Sequence, residues 1–217
     1  IAQCLVGSEM CIRDRDYAVE LTKKYMGNDA VHLCDPIFLC SRDEYIKLAD
    51  DSKFKNDSEF VLNFLLDPDT DKIKAYHYVM DKLQIANYEN FTDLQNVSEK
   101  VKAFGTEKVN AETEIEDLIS AYKTAKFVVT DSFHGTCLAI IFNKPFISIA
   151  NFKRGEKRFI SLLNWIGLTD RLVMNMEEIY NKESLIQDVN FDKANEIILE
   201  SRKIGLEWLK LHLEKMV

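Results

Sequence analysis

Glycine and proline are scarce, with seven and three among 217 residues. Flexible linkers, internal repeats and low-complexity stretches draw on more of both, so none is expected. No run approaches the ~20 consecutive apolar residues of a membrane span. No basic-then-apolar leader opens the chain, which does not begin with Met. Positive charge is not in excess: 28 Lys and Arg face 36 Asp and Glu, a net charge of −8. That balance argues against nucleic acid as a partner. There is no G-x-G-x-x-G fingerprint, no Walker A loop and no recognisable pair of metal-binding carboxylates. Nicotinamide-dependent and P-loop NTPase chemistry are therefore disfavoured, and no cofactor or metal is expected. The five cysteines (Cys4, Cys11, Cys34, Cys40 and Cys137) are odd in number and irregularly spaced. They form no disulfide framework, which fits a reducing compartment. His32, Cys34 and Cys40 lack a CxxC pair or second ligand cluster and read as ordinary core or loop residues.

Hydrophobic residues make up 47% of the chain, ample for a buried core. Asp16–Met26 reads as a helix stopped by Gly27-Asn28. Residues 30–34 read as a short strand ending at Asp35-Pro36, and residues 43–48 as a short helix. The polar residues 50–58 are the best loop or domain boundary. Residues 59–66 form an apolar run before Asp67-Pro68-Asp69, as in a buried strand. Ile73, Tyr76, Val79, Met80 and Leu83 share one face of a helix over residues 71–83. Residues 85–110 are polar and ambiguous, and a further helix spans 112–125. Residues 156–165 are helical, closed by Gly167. A long terminal helix over 192–215 carries Ile197, Ser201, Ile204, Trp208 and Leu211 as its packing stripe. Strands alternating with helices define an α/β protein with a Rossmann-like parallel sheet.

The most informative segment is 127–149, FVVTDSFHGTCLAIIFNKPFISI. It reads as strand, tight loop, helix and strand, with Thr130-Asp131-Ser132 at the carboxyl end of the first strand. Ligands of open α/β sheets sit at that edge, and a helix amino terminus there favours an anion. His134 is the leading catalytic candidate, as an anion ligand or proton donor. Asp131 is either a helix cap or a base toward a hydroxyl, and Ser132 is likewise a cap or a ligand. Gly135 and Thr136 would present backbone N–H groups to the ligand. Cys137 lacks any protease or hydrolase signature and reads as core. Lys153, Arg154, Lys157 and Arg158 form a basic cluster after the next strand. Lys153 and Arg154 fall on the same sheet edge as His134 and could grip its anion, although such a cluster also suits a solvated helix start.

The run Thr130-Asp131-Ser132-Phe133-His134-Gly135-Thr136, with Phe142-Asn143-Lys144-Pro145-Phe146-Ile147, resembles the polysaccharide pyruvyl transferase family. Weaker support comes from Asp35-Pro36-Ile37-Phe38-Leu39, Phe64-Leu65-Leu66-Asp67 and Lys153-Arg154-Gly155 through Arg158-Phe159. The resemblance runs from about Asp16 to Leu172. It implies the carboxyl-terminal half of a GT-B-like two-domain transferase, with a cleft between Rossmann-like halves. It also implies pyruvyl transfer from phosphoenolpyruvate to two sugar hydroxyls as a ketal, in surface polysaccharide biosynthesis. Partners would be phosphoenolpyruvate and a sugar or lipid-linked saccharide acceptor. The location would be cytoplasmic, at most peripheral to the inner face of the membrane. The family's donor-binding histidine corresponds to His134, and its basic donor residue to Lys153 or Arg154. A further donor arginine ahead of the first helix corresponds to Arg13 or Arg15, with Arg15 preferred.

Residues 4–14, CLVGSEMCIRD, fit neither the composition nor the pattern of the rest and resemble a translated sequencing adapter. Residues 1–14 are accordingly expected to be foreign, 15–50 a remnant of an amino-terminal domain, and 51–217 a Rossmann-like domain. On that division an upstream domain carrying much of the acceptor site is missing, and the fragment is expected to be inactive. Competing readings are a GT-B-like glycosyltransferase using a nucleotide sugar, and a non-catalytic module that binds a phosphorylated ligand.

Overall fold

The computed structural model describes residues 16–27, 31–93, 95–105, 108–111 and 113–213. Residues 1–15, including Arg13, Arg15 and the adapter-like segment, lie outside the described residues. The elements run α1 (Asp16–Met26), α2 (Arg42–Asp50), β1 (Phe60–Phe64), α3 (Thr70–Leu83), β2 (Asn87–Phe91), α4 (Val97–Ala103), β3 (Val109–Asn110) and α5 (Ile115–Thr124). They continue as β4 (Phe127–Thr130), α6 (Phe133–Ile141), β5 (Phe146–Ile149), α7 (Lys157–Ile166), β6 (Leu172–Val173), α8 (Glu177–Asn181) and α9 (Asp192–Leu213).

The strands form one sheet in the order β3-β2-β1-β4-β5-β6, every pair parallel. The chain winds outward from β1 through β2 to β3. It then returns to β4, on the other side of β1, and winds outward again. This is the doubly wound order, and its direction reverses between β1 and β4. The α/β parallel-sheet expectation is met.

Helices cover both faces of the sheet, so successive strand residues enter two separate cores. Phe60, Leu62, Phe64, Val128 and Phe146 join α5, α6, α7 and α9 on one face. Val61, Phe127, Val129, Ile147 and Ile149 join α3 and α8 on the other. Local signals fix the helix ends. Asp69 caps α3 by accepting from the N–H groups of Asp71 and Lys72 at 3.0 and 2.9 Å. Gly167 closes α7 in the left-handed region at φ 76°, where a Cβ would be strained.

Three readings of the sequence change in the structure. The proposed strand at 30–34 is irregular over its described part and runs into a short 3-10 turn, Pro36–Phe38. The polar stretch 85–110 holds two strands and a helix. Strand β2 escapes a hydrophobicity reading because its fourth residue is a buried amide: Asn90 accepts from Asn63 Nδ2 at 2.9 Å and donates to the Lys108 carbonyl at 3.0 Å. The third change is in α9, which buries Ala194, Ile198 and Gly205 while Ile204 and Leu211 stay exposed. Gly205 sets that register, since a Cβ there would lie 2.7 Å from Leu39 Cδ2. Residues 33–50 pack on the same core through Cys34, Phe38 and Ala49. Arg202 of α9 clamps this segment by donating to the carbonyls of Phe38 and Cys40 at 2.7 and 2.9 Å.

Candidate active site

The reversal between β1 and β4 sets the loop after β1 (Leu65–Asp69) beside the loop after β4 (Asp131-Ser132). The second loop is built by its own hydroxyls. Thr130 Oγ1 donates to the Phe64 carbonyl at 2.7 Å and accepts from Ser132 N–H at 3.0 Å. Ser132 is the N-cap of α6 and accepts from Gly135 N–H at 3.1 Å. Thr136 N–H donates to the Ser132 carbonyl at 2.9 Å, and Thr136 Oγ1 bonds both that carbonyl and Ser148 Oγ. Ser132 and Thr136 are buried. The Gly135 and Thr136 amides, read from sequence as anion ligands, are therefore spent inside the turn.

Gly135 is needed for a different reason. A Cβ there would meet Thr130 Oγ1, Tyr122 Oη and Phe64 Cδ1 at 2.4, 2.8 and 2.9 Å. Overpacking a core costs about 1–3 kcal/mol, and alanine regains about 1 kcal/mol in helix propensity. Three contacts this short place Gly135→Ala at the upper end, so urea denaturation should show a net loss of about 2 kcal/mol.

Asp131 is wholly enclosed, with side-chain exposure of 0%. Its carboxylate accepts from Leu66 N–H at 2.6 Å, Asp67 N–H at 3.1 Å, Lys72 Nζ at 2.8 Å and Asn151 Nδ2 at 3.4 Å. It bolts the loops after β1, β4 and β5 together. Its enclosed side chain stands in the wall of the cavity described below, with its oxygens committed to these four donors.

His134, in contrast, is 59% exposed on the first turn of α6. Its Nε2 lies 3.9 Å from Asp35 Oδ2. Asp35 is held by its other oxygen, which accepts from Ile37 N–H at 3.0 Å and caps the 3-10 turn. An anchored carboxylate thus stands beside an exposed imidazole.

His134 opens onto a cavity of about 220 Å³ also lined by Leu66, Phe133, Arg154 and Arg158. Arg158 lies flat over the Phe133 ring, Cζ 4.1 Å from its centroid, a cation–π contact. Its Nε is buried without a hydrogen-bond partner among the described residues. A buried donor on an always-charged group is costly unless an acceptor arrives. Arg154 enters from the loop after β5. It donates from Nε and Nη2 to the two oxygens of Asp67 at 2.7 and 3.4 Å, with Asp93 3.5 Å from Nη1. Burial would push the Asp67 carboxyl up. Hydrogen bonds from Arg154 and Asn151, with the Arg154 and Lys72 charges, outweigh that and hold it at about 2. The stabilisation from this pair is thus present above the ordinary carboxylate range and is lost as pH falls from about 4 to about 2. Acid titration followed by circular dichroism should show Arg154→Gln losing that limb of the stability profile.

Of the sequence-chosen residues, Asp131, Ser132, His134 and Arg154 line the cavity, Asp131 and Ser132 as buried parts of its wall. Lys153 faces a different hollow, beyond Asp67. Two residues that the sequence reading left without a role complete the site. Arg158 was part of a basic cluster that reads equally well as a solvated helix start. Asp35 showed as the polar end of a misread strand and as the start of the weaker match Asp35-Pro36-Ile37-Phe38-Leu39. Among the described residues no group of three or more His, Cys, Asp or Glu is placed to hold a metal ion. No helix among them is long and apolar enough to cross a membrane.

Fold and site together define a doubly wound α/β protein with a cationic, aromatic-walled cavity at its carboxyl switch point. The chain belongs to the polysaccharide pyruvyl transferase family, whose profile matches residues 11–153. That span covers His134 and Asp35 and ends just before Arg154. No curated protein matches the chain significantly. Solved structures show distant likeness. An O-GlcNAc transferase from Thermobaculum terrenum is 16% identical, with TM-score 0.41, over 72% of this chain and 33% of that one. The wall teichoic acid polymerase TagF is 12% identical, with TM-score 0.38, over 89% and 56%. The E. coli ADP-heptose LPS heptosyltransferase II is 14% identical, with TM-score 0.33, over 74% and 53%. The chain thus spans between a third and a little over half of these proteins.

Proposed function

We propose that the His134 cavity binds phosphoenolpyruvate and serves ketal formation on two hydroxyls of a surface-polysaccharide saccharide. The observation that carries this reading is the convergence of His134, Arg154 and Arg158 on one cavity, with Arg158 Nε buried and unsatisfied. Phosphoenolpyruvate carries a phosphate and a carboxylate on adjoining atoms. Two guanidinium groups suit two such anions, each able to bind in bidentate fashion. A GT-B-like arrangement, with a second α/β half closing over this edge, would exclude water from the cavity.

The chemistry asks for one proton at the start. Protonated His134 delivers it to the methylene carbon, generating positive charge at the adjoining carbon. A saccharide hydroxyl adds there and releases its proton. The bond from that carbon to the phosphate oxygen then breaks, and inorganic phosphate leaves with the electron pair. A second hydroxyl closes the ketal and gives up its proton. The two protons released balance the one placed on carbon and the one taken up by phosphate. Arg154 and Arg158 stabilise the departing phosphate, and Asp35 holds the imidazole in line. The donor places the reaction in the cytoplasm, and a lipid-linked acceptor would bring it to the inner face of the membrane.

Calorimetric titration of the 217-residue chain with phosphoenolpyruvate tests the donor assignment. Arg158→Met keeps the bulk over Phe133 and removes the charge, so affinity should fall about 100-fold, as for loss of a charge-assisted contact worth about 3 kcal/mol. Equal affinity in the variant, or tighter binding of a nucleotide sugar than of phosphoenolpyruvate, would overturn the assignment.

A further inference from the structure

Beyond the Arg154–Asp67 pair lies a second and larger cavity, about 490 Å³, open at the same carboxyl edge. The loops after β1, β5 and β6 and the start of α4 form its walls. No step described above uses it. Asp67 lines it from one side of the ion pair while Arg154 lines the His134 cavity from the other. The pair is thus a partition between two hollows, steadied by Asn151, which donates to Asp67 Oδ2 at 2.7 Å.

The two hollows differ in chemistry. The His134 cavity gathers cationic side chains. The larger one sets the carboxylates of Asp69 and Glu99 and the amide of Asn96 around its wall, beside Asn175, whose amide is bonded to Glu178. Two of its three lysines are committed: Lys72 bonds the Asp67 carbonyl and Asp131, and Lys100 pairs with Asp93, while Lys153 stands among the four carboxylates Asp67, Asp69, Asp71 and Glu99. Such a wall repels a second anion and suits a neutral ligand rich in hydroxyls, because carboxylates accept from hydroxyls and amides both donate and accept. Phe152, 62% exposed, adds an aromatic face beside Met174, 38% exposed. A large apolar ring left in water at the rim of a polar cavity fits the C–H face of a pyranose.

We propose that this cavity holds the acceptor saccharide. The inference rests on the pyruvyl-transfer reading, which requires a sugar with two free hydroxyls near the donor. The cavity is larger than the donor pocket and meets it at one ion pair. It therefore takes a sugar unit next to the reacting one, whose own hydroxyls rise over the Asp67–Arg154 rim toward His134.

Saturation-transfer NMR on the 217-residue chain tests this, with methyl hexopyranosides of gluco, galacto and manno configuration, cellobiose and lactose as probes. Calorimetric titration with phosphoenolpyruvate runs in parallel. At least one probe should give ring-proton signals. Phe152→Ala and Glu99→Gln should each weaken its binding about tenfold and leave phosphoenolpyruvate affinity unchanged. No saccharide signal, or signals unchanged in both variants, while phosphoenolpyruvate still binds, would overturn the saccharide site alone. Saccharide signals that depend on Phe152, without phosphoenolpyruvate binding, would sustain the site and overturn the donor reading.

Discussion

In a parent enzyme that supplies the upstream half expected from the sequence, His134→Ala should lower turnover by about 100- to 10,000-fold, the usual worth of a positioned general acid. Affinity for phosphoenolpyruvate should fall much less, because Arg154 and Arg158 remain. The side chain is 59% exposed, so the circular dichroism spectrum and unfolding midpoint should hold. Phosphate release from phosphoenolpyruvate in the presence of acceptor gives the rate, and calorimetry gives the affinity. Full turnover in the alanine variant would remove His134 from the chemistry. Loss of affinity equal to the loss of rate would make it an anion ligand instead of an acid. Asp35→Asn provides the intermediate case. It keeps the cap on Ile37 but removes the charge 3.9 Å from the imidazole. An orienting role predicts about a tenfold drop in kcat with KM for phosphoenolpyruvate held. A purely structural role predicts a lower unfolding midpoint with kcat intact.

The segment 127–149 was legible because each local signal there agrees with the fold. A β-branched run, a hydroxyl cap, small helix residues and a proline stop all point to one βαβ unit. Strand β2 was illegible because NYENF buries a hydrogen-bonded amide where an apolar residue would announce a strand. The stripe on α9 was misplaced because periodicity rewards large apolar residues, while the helix docks through Ala194 and Gly205. At the site, sequence located the sheet edge but not which groups face out. The order Asp131-Ser132-Phe133-His134 looks like a row of ligands. The turn sends Asp131 and Ser132 inward and exposes only His134. Arg158 was hidden by its helix position. Only the fold shows that it lies on Phe133, reaches the His134 cavity and lacks an acceptor for Nε. Asp131 is the residue for which sequence and structure suggest different roles, and the difference can be measured.

Asp131→Ala should destabilise the fold by about 3–5 kcal/mol, the cost of removing one partner from a buried ion pair. Two backbone N–H groups, Lys72 Nζ and Asn151 Nδ2 all point at this carboxylate. Removing it leaves the amides of Leu66 and Asp67 without their acceptor in a site water scarcely reaches. Lys72 keeps the Asp67 carbonyl at 2.6 Å and Asp69 at 3.7 Å, but both partners sit at its outer end. Asp131→Asn separates charge from shape. Its oxygen can still accept from Leu66 N–H, so the loss should be smaller, while its NH2 then faces Lys72 or the Asp67 amide. Urea denaturation of the two variants gives the ranking. A catalytic base predicts the reverse pattern, with near-native stability and turnover lost equally in both. The clasp role also predicts that the surviving folded Asn variant binds phosphoenolpyruvate more weakly. The loop that carries Asp67, and through it Arg154, is registered against β4 by this carboxylate, so loosening it moves one wall of the donor cavity. An Asn variant of native affinity but no turnover would return Asp131 to the chemistry.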